Sequence, residues 1–253
     1  MSSDGPSGKF QAAMGLLWDT PKPGSRGPKP SRSREDLLDA AIGLADREGL
    51  EAVSMQRLAQ ELKFTKMAVY RYVPGRAELI ALMADRALGV PPELNAGEGW
   101  RSQIEAWSLA VFHVFLRHPW GLQATTGPRA IGPNEAEWTE LALAILARTG
   151  LSGADRFDVL AVAVGHLRSM AQQIAAWKGR IDNLESEMAE AYGLILRGRE
   201  ARFPELSRTV ADAFDPAQMT NGLTFGLNCI FDGVEAGLAK RKKPAGKPRR
   251  PQA

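Results

Sequence analysis

Residues Val53 to Leu79, VSMQRLAQELKFTKMAVYRYVPGRAEL, decide the fold. Ser54 has the side chain of a helix N-cap, and Met55, Leu58, Ala59 and Leu62 follow at the spacing of one helical face. Lys63-Phe64 breaks the pattern, Thr65 offers a second N-cap, and Met67 to Tyr72 is a helix too short to stand alone. Pro74-Gly75 closes it and releases the chain into a further helix beginning near Arg76. Two short helices crossing through such a turn form a helix-turn-helix, whose second helix enters the DNA major groove. Here that helix carries Thr65, Lys66, Tyr70, Arg71 and Tyr72, all able to donate to phosphate. Ala68 is small enough to let the backbone approach base edges. The spacing alone also fits a surface helical hairpin with solvated charges.

Working outward, Ser33-Arg-Glu-Asp36 resembles a capping box, with Asp36 in place of the usual Glu. It opens a helix with Leu37, Leu38, Ala41, Ile42 and Ala45 on one face, and Gly49 stands where a helix ends in a left-handed residue. Residues 34–90 therefore predict a compact three-helix DNA reader, bounded by Pro91-Pro92. Residues 91–239 are helical by pattern, with no run of alternating β-branched residues, so the expected fold class is all-α. Trp100, Ile104, Trp107, Val111 and Phe115 mark one helix, ended by His118-Pro119, and Pro133-Asn134 starts the next. Ser152 with Asp155 caps a helix to about Lys178, apolar nearly all round between Val159 and Val164, which predicts burial on most sides. Gly179 to Asn183 breaks the pattern, and a helix to about Arg197 and a short segment from Phe203-Pro204 follow.

Asp215-Pro216 opens the last helix, with Phe214 and Met219 placed as a hydrophobic staple. Leu223, Leu227, Ile230, Val234 and Leu238 form its apolar stripe, and Gly222, Gly226, Gly233 and Gly237 lie beside it. Glycine inside a helix costs roughly 1 kcal/mol against alanine, which close approach of another helix offsets. The last helix and the 155–178 helix are thus a candidate dimer interface, centred on Leu223, Gly226, Ile230, Gly233, Val234 and Gly237. Packing within one chain is the alternative.

The 253 residues are 44% hydrophobic and 24% charged, the balance of a globular protein. No apolar run approaches the roughly 18 residues of a membrane span, and no signal-peptide pattern opens the chain, so a cytoplasmic location is expected. Cys229 is the single cysteine, which excludes an internal disulfide and a thiolate metal site. The net charge of +3 is unevenly spread. Residues 1–33 hold Lys9, Lys22, Arg26, Lys29 and Arg32 against Asp4 and Asp19. Residues 240–253 hold seven basic residues and no acid, so the body between is acidic. Residues 1–33 read as a disordered basic arm and 240–253 as a disordered basic tail, suited to a polyanion or simply to solubility. Within the arm, Ser25 to Pro30 fits either an extended minor-groove segment or a plain linker.

His113, His118 and His166 lack metal-ligand spacing, and no GxSxG elbow, phosphate loop or dinucleotide fingerprint occurs. No catalytic residue, metal or cofactor is expected. Trp107, Phe112, Phe115, Trp120, Trp138 and Trp177, with His166 and Met170, fit either an apolar ligand cavity or a plain core.

The residues of this head resemble the DNA-binding domain of the tetracycline-repressor (TetR) family of bacterial regulators. The resemblance rests on Ala40, Ala41, Ala45, Gly49, Ser54, Leu58-Ala59, Thr65-Lys66, Val69-Tyr70, Tyr72-Val73-Pro74 and Glu78-Leu79. Met67 to Gly75 resembles a subgroup common in actinobacteria, as do His118-Pro-Trp120 and Gly132-Pro-Asn134. It implies an all-α homodimer that binds a double-stranded DNA operator and is released by a small-molecule effector. Carried over by position, Lys66, Met67 and Ala68 head the recognition helix, Gln56 reaches a base, and Ser54, Tyr70, Tyr72 and Arg76 hold phosphates. Lys63 stands where glycine is usual and costs roughly 1 kcal/mol or more if held left-handed, so a less regular turn is expected. The competing expectation is an all-α metabolite-binding protein or enzyme that keeps the fold without using DNA.

Overall fold

The computed structural model describes residues 6–19, 33–95, 97–176, 181–213 and 222–242. Most of both basic segments, Trp177 and the expected start of the last helix at Phe214 to Met219 lie outside the described residues. Among the described residues there are twelve α-helices and no strand. Packing divides the chain into two units, Met1–Ile145 and Leu146–Ala253. The division thus falls well beyond Pro91-Pro92, because the helices after that point pack with the N-terminal three-helix head.

The head begins with α2 (Arg34–Glu48), which follows an N-terminal helix described below. Its capping box forms as the sequence predicts: the Ser33 amide donates to Asp36 Oδ2 at 2.7 Å, and the Asp36 amide donates to Ser33 Oγ at 3.1 Å. Leu37, Leu38, Ala41, Leu44 and Ala45 face inward. Gly49, at φ 86° and ψ 166°, ends the helix in a region essentially reserved for glycine. A 3-10 turn (Leu50–Ala52) leads to α3 (Met55–Leu62), α4 (Lys66–Tyr72) and α5 (Arg76–Leu88). Met55, Leu58, Ala59 and Leu62 of α3 join Val69, Val73, Leu79, Leu82 and Met83 in one core.

The N-terminal arm expected to be disordered contains α1 (Pro6–Trp18), which packs on α5. Ala13 is buried and Leu16 and Leu17 lie partly buried against the head core. The Trp18 indole N–H donates to the Ile131 carbonyl at 2.9 Å, and Arg34 Nη1 donates to the Leu16 carbonyl at 3.1 Å. The physical reason is a short apolar run, Ala13, Met14, Leu16 and Leu17, set between Gly/Pro-rich flanks that dominate the composition.

Helices α6 (Trp100–Arg117), α7 (Gly121–Ala124) and α8 (Pro133–Ala147) complete the first unit, α8 reaching just past its edge. Two junctions hold them to the head. On α2, Asp46 Oδ1 accepts the Trp120 indole N–H at 2.7 Å and lies 2.8 Å from His118 Nδ1. On α5, the buried Asp85 acts as the missing cap of α8: its Oδ1 accepts the Glu135 amide at 3.1 Å. Asn134 Nδ2 donates to Asp85 Oδ2 at 3.1 Å and to its carbonyl at 3.0 Å. The bare backbone of Gly132 makes this fit possible, since a Cβ there would lie 2.2 Å from Asp85 Oδ1.

The second unit holds α9 (Gly153–Ala176), α10 (Ile181–Leu196), α11 (Pro204–Ala213) and α12 (Gly222–Lys242). Ser152 and Asp155 cap α9 as predicted. Ala163, Leu167 and Ala171 of α9, and Leu223, Leu227 and Phe231 of α12, are the buried residues of two helices that pack together. Within one chain α9 is buried on the Ala163, Leu167 and Ala171 side, while its Phe157 and Val162 are 59% and 57% exposed. Single-chain packing covers one face of the helix and leaves another apolar face open.

Candidate nucleic-acid interface

The recognition unit is built from three local devices. Ser54 Oγ accepts the Arg57 amide at 3.1 Å, which starts α3. Lys63 then adopts the left-handed conformation at φ 56° and ψ 39°, so the irregular turn expected from its side chain does not occur. The Lys63 amide donates to the Gln60 carbonyl at 3.1 Å and the Phe64 amide to the Ala59 carbonyl at 2.8 Å, the paired bonds of a Schellman ending. Those two bonds, together with partial burial of Phe64, offset the cost of a left-handed lysine. Finally, Thr65 Oγ1 accepts the Ala68 amide at 3.2 Å and starts α4.

On α4, Val69 is the buried anchor, while Lys66, Met67, Tyr70 and Arg71 are exposed. Met67 is 72% exposed and free to make an apolar contact. The Lys66 ammonium lies 6.0 Å from the Tyr70 ring centroid. From Lys63 to Ala77 the chain carries Lys63, Lys66, Arg71 and Arg76 and no acid, so this segment presents a positive field suited to phosphates. The accepting roles of Ser54 and Thr65 leave each hydroxyl proton available for an outside acceptor. Gln56 is exposed on the first turn of α3.

Two expected contacts sit differently. Tyr72 is half-buried, its ring stacked on Phe64 at 6.4 Å and 13°, because the short helix needs an aromatic wedge beneath it. Arg76, expected at a phosphate, donates through Nε to the Val53 carbonyl and through Nη2 to the Leu50 carbonyl, both at 3.0 Å. The Leu50 carbonyl also accepts the Val53 amide at 3.2 Å, so the guanidinium fork adds a second donor there and one at the Val53 carbonyl just after the 3-10 turn.

The expected ligand-pocket set is partly dispersed into cores. Trp120 is buried in the core of the head, its indole N–H donating to Asp46 Oδ1. Trp107 and Trp138 are buried edge to face at 6.2 Å, with Trp107 Nε1 donating to the Trp138 carbonyl and Trp138 Nε1 to the Gly89 carbonyl. They act as a packed pair satisfied by backbone. Phe112 is buried and Phe115 half-buried on α6. In the second unit, His166 Nε2 lies 3.0 Å from the Leu223 carbonyl, and Met170 is half-buried, its Sδ 3.8 Å from a Cβ placed at Gly222.

The expected dimer face separates into two halves. Leu223 is buried, and a Cβ on Gly226 would lie 2.3 Å from the His166 ring, so both residues serve the α9–α12 contact inside the chain. Ile230, Gly233, Val234 and Gly237 instead line an open groove of about 340 Å³ with Val159 and Val162 of α9. Phe225, on the same helix, is 61% exposed. At the end of this groove Arg241 binds Asp155 through both carboxylate oxygens, at 2.8 and 3.2 Å, and holds that carboxyl well below its ordinary range. Sequence reasoning missed Asp46 and Asp85; isolated acids on helices carry no local signal of an interhelical role.

An exposed, acid-free recognition helix on a capped two-helix scaffold defines a helix-turn-helix DNA-binding protein. The family model described as bacterial regulatory proteins, tetR family, matches residues 37–83, and that of the tetracyclin repressor-like C-terminal domain matches residues 91–238. The chain belongs to the TetR family of transcriptional regulators. It is 34% identical to the HTH-type transcriptional repressor DrrR1 of Streptomyces coeruleorubidus, over 93% of this chain and 89% of that one. It is 30% identical to an HTH-type transcriptional regulator of Saccharopolyspora erythraea, over 82% and 86% of the two chains. Among solved structures, the TetR family protein ActR of Streptomyces coelicolor in complex with actinorhodin superposes with a TM-score of 0.68. Its identity is 25%, with 83% of this chain and 99% of that chain covered. Among the described residues no helix is long and apolar enough to cross a membrane.

Proposed function

We propose that the protein is a homodimeric repressor that binds a near-palindromic operator and is released from it by a small-molecule effector. The observation that carries this reading is α4: a short helix anchored by Val69 and presenting Lys66, Met67, Tyr70 and Arg71 outward from a fixed turn. Lys66 can bond guanine acceptors, and Met67 or Ala68 can touch a thymine methyl. Gln56 adds a base contact from α3, while Ser54, Thr65, Tyr70 and the Tyr72 hydroxyl donate to phosphates. The relative named as a repressor and the ligand-bound ActR support repression and release by a ligand. Dimerisation is assigned to the groove lined by Ile230, Gly233, Val234 and Gly237, where apolar surface stands open.

An effector can act only by preferring the conformer whose two recognition helices are wrongly spaced for DNA. The junctions at Asp46 and Asp85 are where such a preference reaches the head, because they tie α2 and α5 to the loops flanking α7 and α8. A DNA regulator of this kind works in the cytoplasm. The decisive experiment selects bound fragments from the source genome at about 0.15 M salt, where long-range charge attraction is screened. Recovery of a near-palindromic site supports the repressor; sequence-blind binding lost on removal of residues 240–253 favours a metabolite-binding protein instead. Quenching of tryptophan fluorescence then identifies the effector.

A further inference from the structure

Between Gly49 and Ser54 the chain makes one 3-10 turn, held by the Ala52 amide on the Gly49 carbonyl and the Val53 amide on the Leu50 carbonyl, both at 3.2 Å, and Arg76 braces that turn from α5. Its Nε donates to the Val53 carbonyl and its Nη2 to the Leu50 carbonyl, each at 3.0 Å, while Glu51 Oε2 lies 3.5 Å from Nη2. Two donations from one planar fork fix direction as well as distance, which a lysine ammonium cannot do. Ser54, the next residue, is the cap that starts α3, and α3 carries α4 through the Lys63 turn. The clamped segment therefore sets the direction of the whole recognition unit. Glu51 also accepts from Gln123 Nε2 of α7 at 3.1 Å, which ties the clamp to the helix behind it.

We propose that Arg76 is a positioning residue for operator recognition, acting by clamping the Leu50 and Val53 carbonyls rather than by neutralising a phosphate. This rests on the reading that the head binds an operator. It predicts a division of labour in which Lys66 and Met67 read bases and Arg76 holds them at the right angle.

The test is Arg76→Lys, which keeps the charge and removes the fork. Affinities are measured on the selected operator and on a random duplex from about 0.05 to 0.3 M salt. Positioning predicts an operator affinity about tenfold weaker, random-duplex affinity unchanged, and the same salt slope. A phosphate role predicts that lysine substitutes well on both duplexes, and that result overturns the proposal. Should Arg76→Lys melt far below the wild type, the wild-type protein itself decides. Positioning requires its Arg76 Nε–H to be protected from exchange in the DNA-free state and unchanged by DNA. Protection appearing only with DNA overturns it. A wild type with no operator preference removes the regulator reading, and the exchange result on free protein then still stands or falls by itself.

Discussion

Lys63 holds a backbone conformation that suits glycine, at φ 56°, within the turn that aims the recognition helix. The left-handed cost is about 1–2 kcal/mol, and the loss of chain entropy from a new glycine is about 0.4–1 kcal/mol. Lys63→Gly is therefore expected to stabilise the protein by roughly 0.5–1 kcal/mol in urea unfolding, and a loss of stability would mean the lysine side chain makes a needed contact. The same substitution removes one positive charge beside the DNA, so operator affinity should become less salt-dependent even as stability rises. For base reading, Lys66→Ala should cost about 1–3 kcal/mol on the operator and relax preference at one base position. Tyr70→Phe should weaken all duplexes alike. Equal losses on specific and random DNA for both variants would sink the division between base and phosphate contacts.

At the scale of elements, the α5–α8 junction depends on a glycine and a buried acid. Gly132→Ala places a methyl against the Asp85 carboxylate and should cost about 1–3 kcal/mol, with the thermal midpoint as the measure. Burial holds the Asp85 carboxyl above its ordinary value of 3.8, against the pull of the Glu135 and Asn134 donors. The folded chain thus binds this proton more tightly than the unfolded chain. The Asp85 contribution is complete below the unfolded pKa and is lost as pH rises through the folded value. The stability difference between wild type and Asp85→Asn should accordingly shift in favour of the wild type between pH 7 and pH 4. A constant difference would mean that Asp85 does not titrate in that window.

How much of this was legible follows from the range of each interaction. Caps at Ser33, Ser54 and Thr65 act within three residues, so sequence located α2, α3 and α4 closely. For Trp120 the sequence left cavity and core open, because its partner Asp46 is 74 residues away and no local pattern marks that pair. The arm before residue 33 was misread because composition was averaged across a short apolar run and its Gly/Pro-rich flanks. The hydrogen bonds from Arg76 to the Leu50 and Val53 carbonyls were not legible, because backbone carbonyls have no identity in a sequence.

At the scale of the molecule, the proposed dimer interface is the groove between α9 and α12. Val234→Glu would introduce an uncompensated charge there, and should give a monomer by light scattering that no longer protects a full operator. Persistence of the dimer would move the interface elsewhere. Gly237 has open space at its Cβ within one chain, so Gly237→Ala in the monomeric background should gain up to about 1 kcal/mol of helix stability. In the wild-type background the same methyl should weaken dimerisation if a partner helix presses there.

The docking of α1 also sets an order of events during synthesis. Trp18 reaches the carbonyl of Ile131, 113 residues downstream, whereas the caps of the head close within three residues. At roughly 5–20 residues per second, the Trp18 indole waits about 6–23 s for that acceptor to be made. Residues 34–88 have by then had time to fold from local contacts. The α5 surface that covers the apolar face of α1 is complete by residue 88, so α1 can dock on the head first, and the indole bond to Ile131 is the last part of its docking to close.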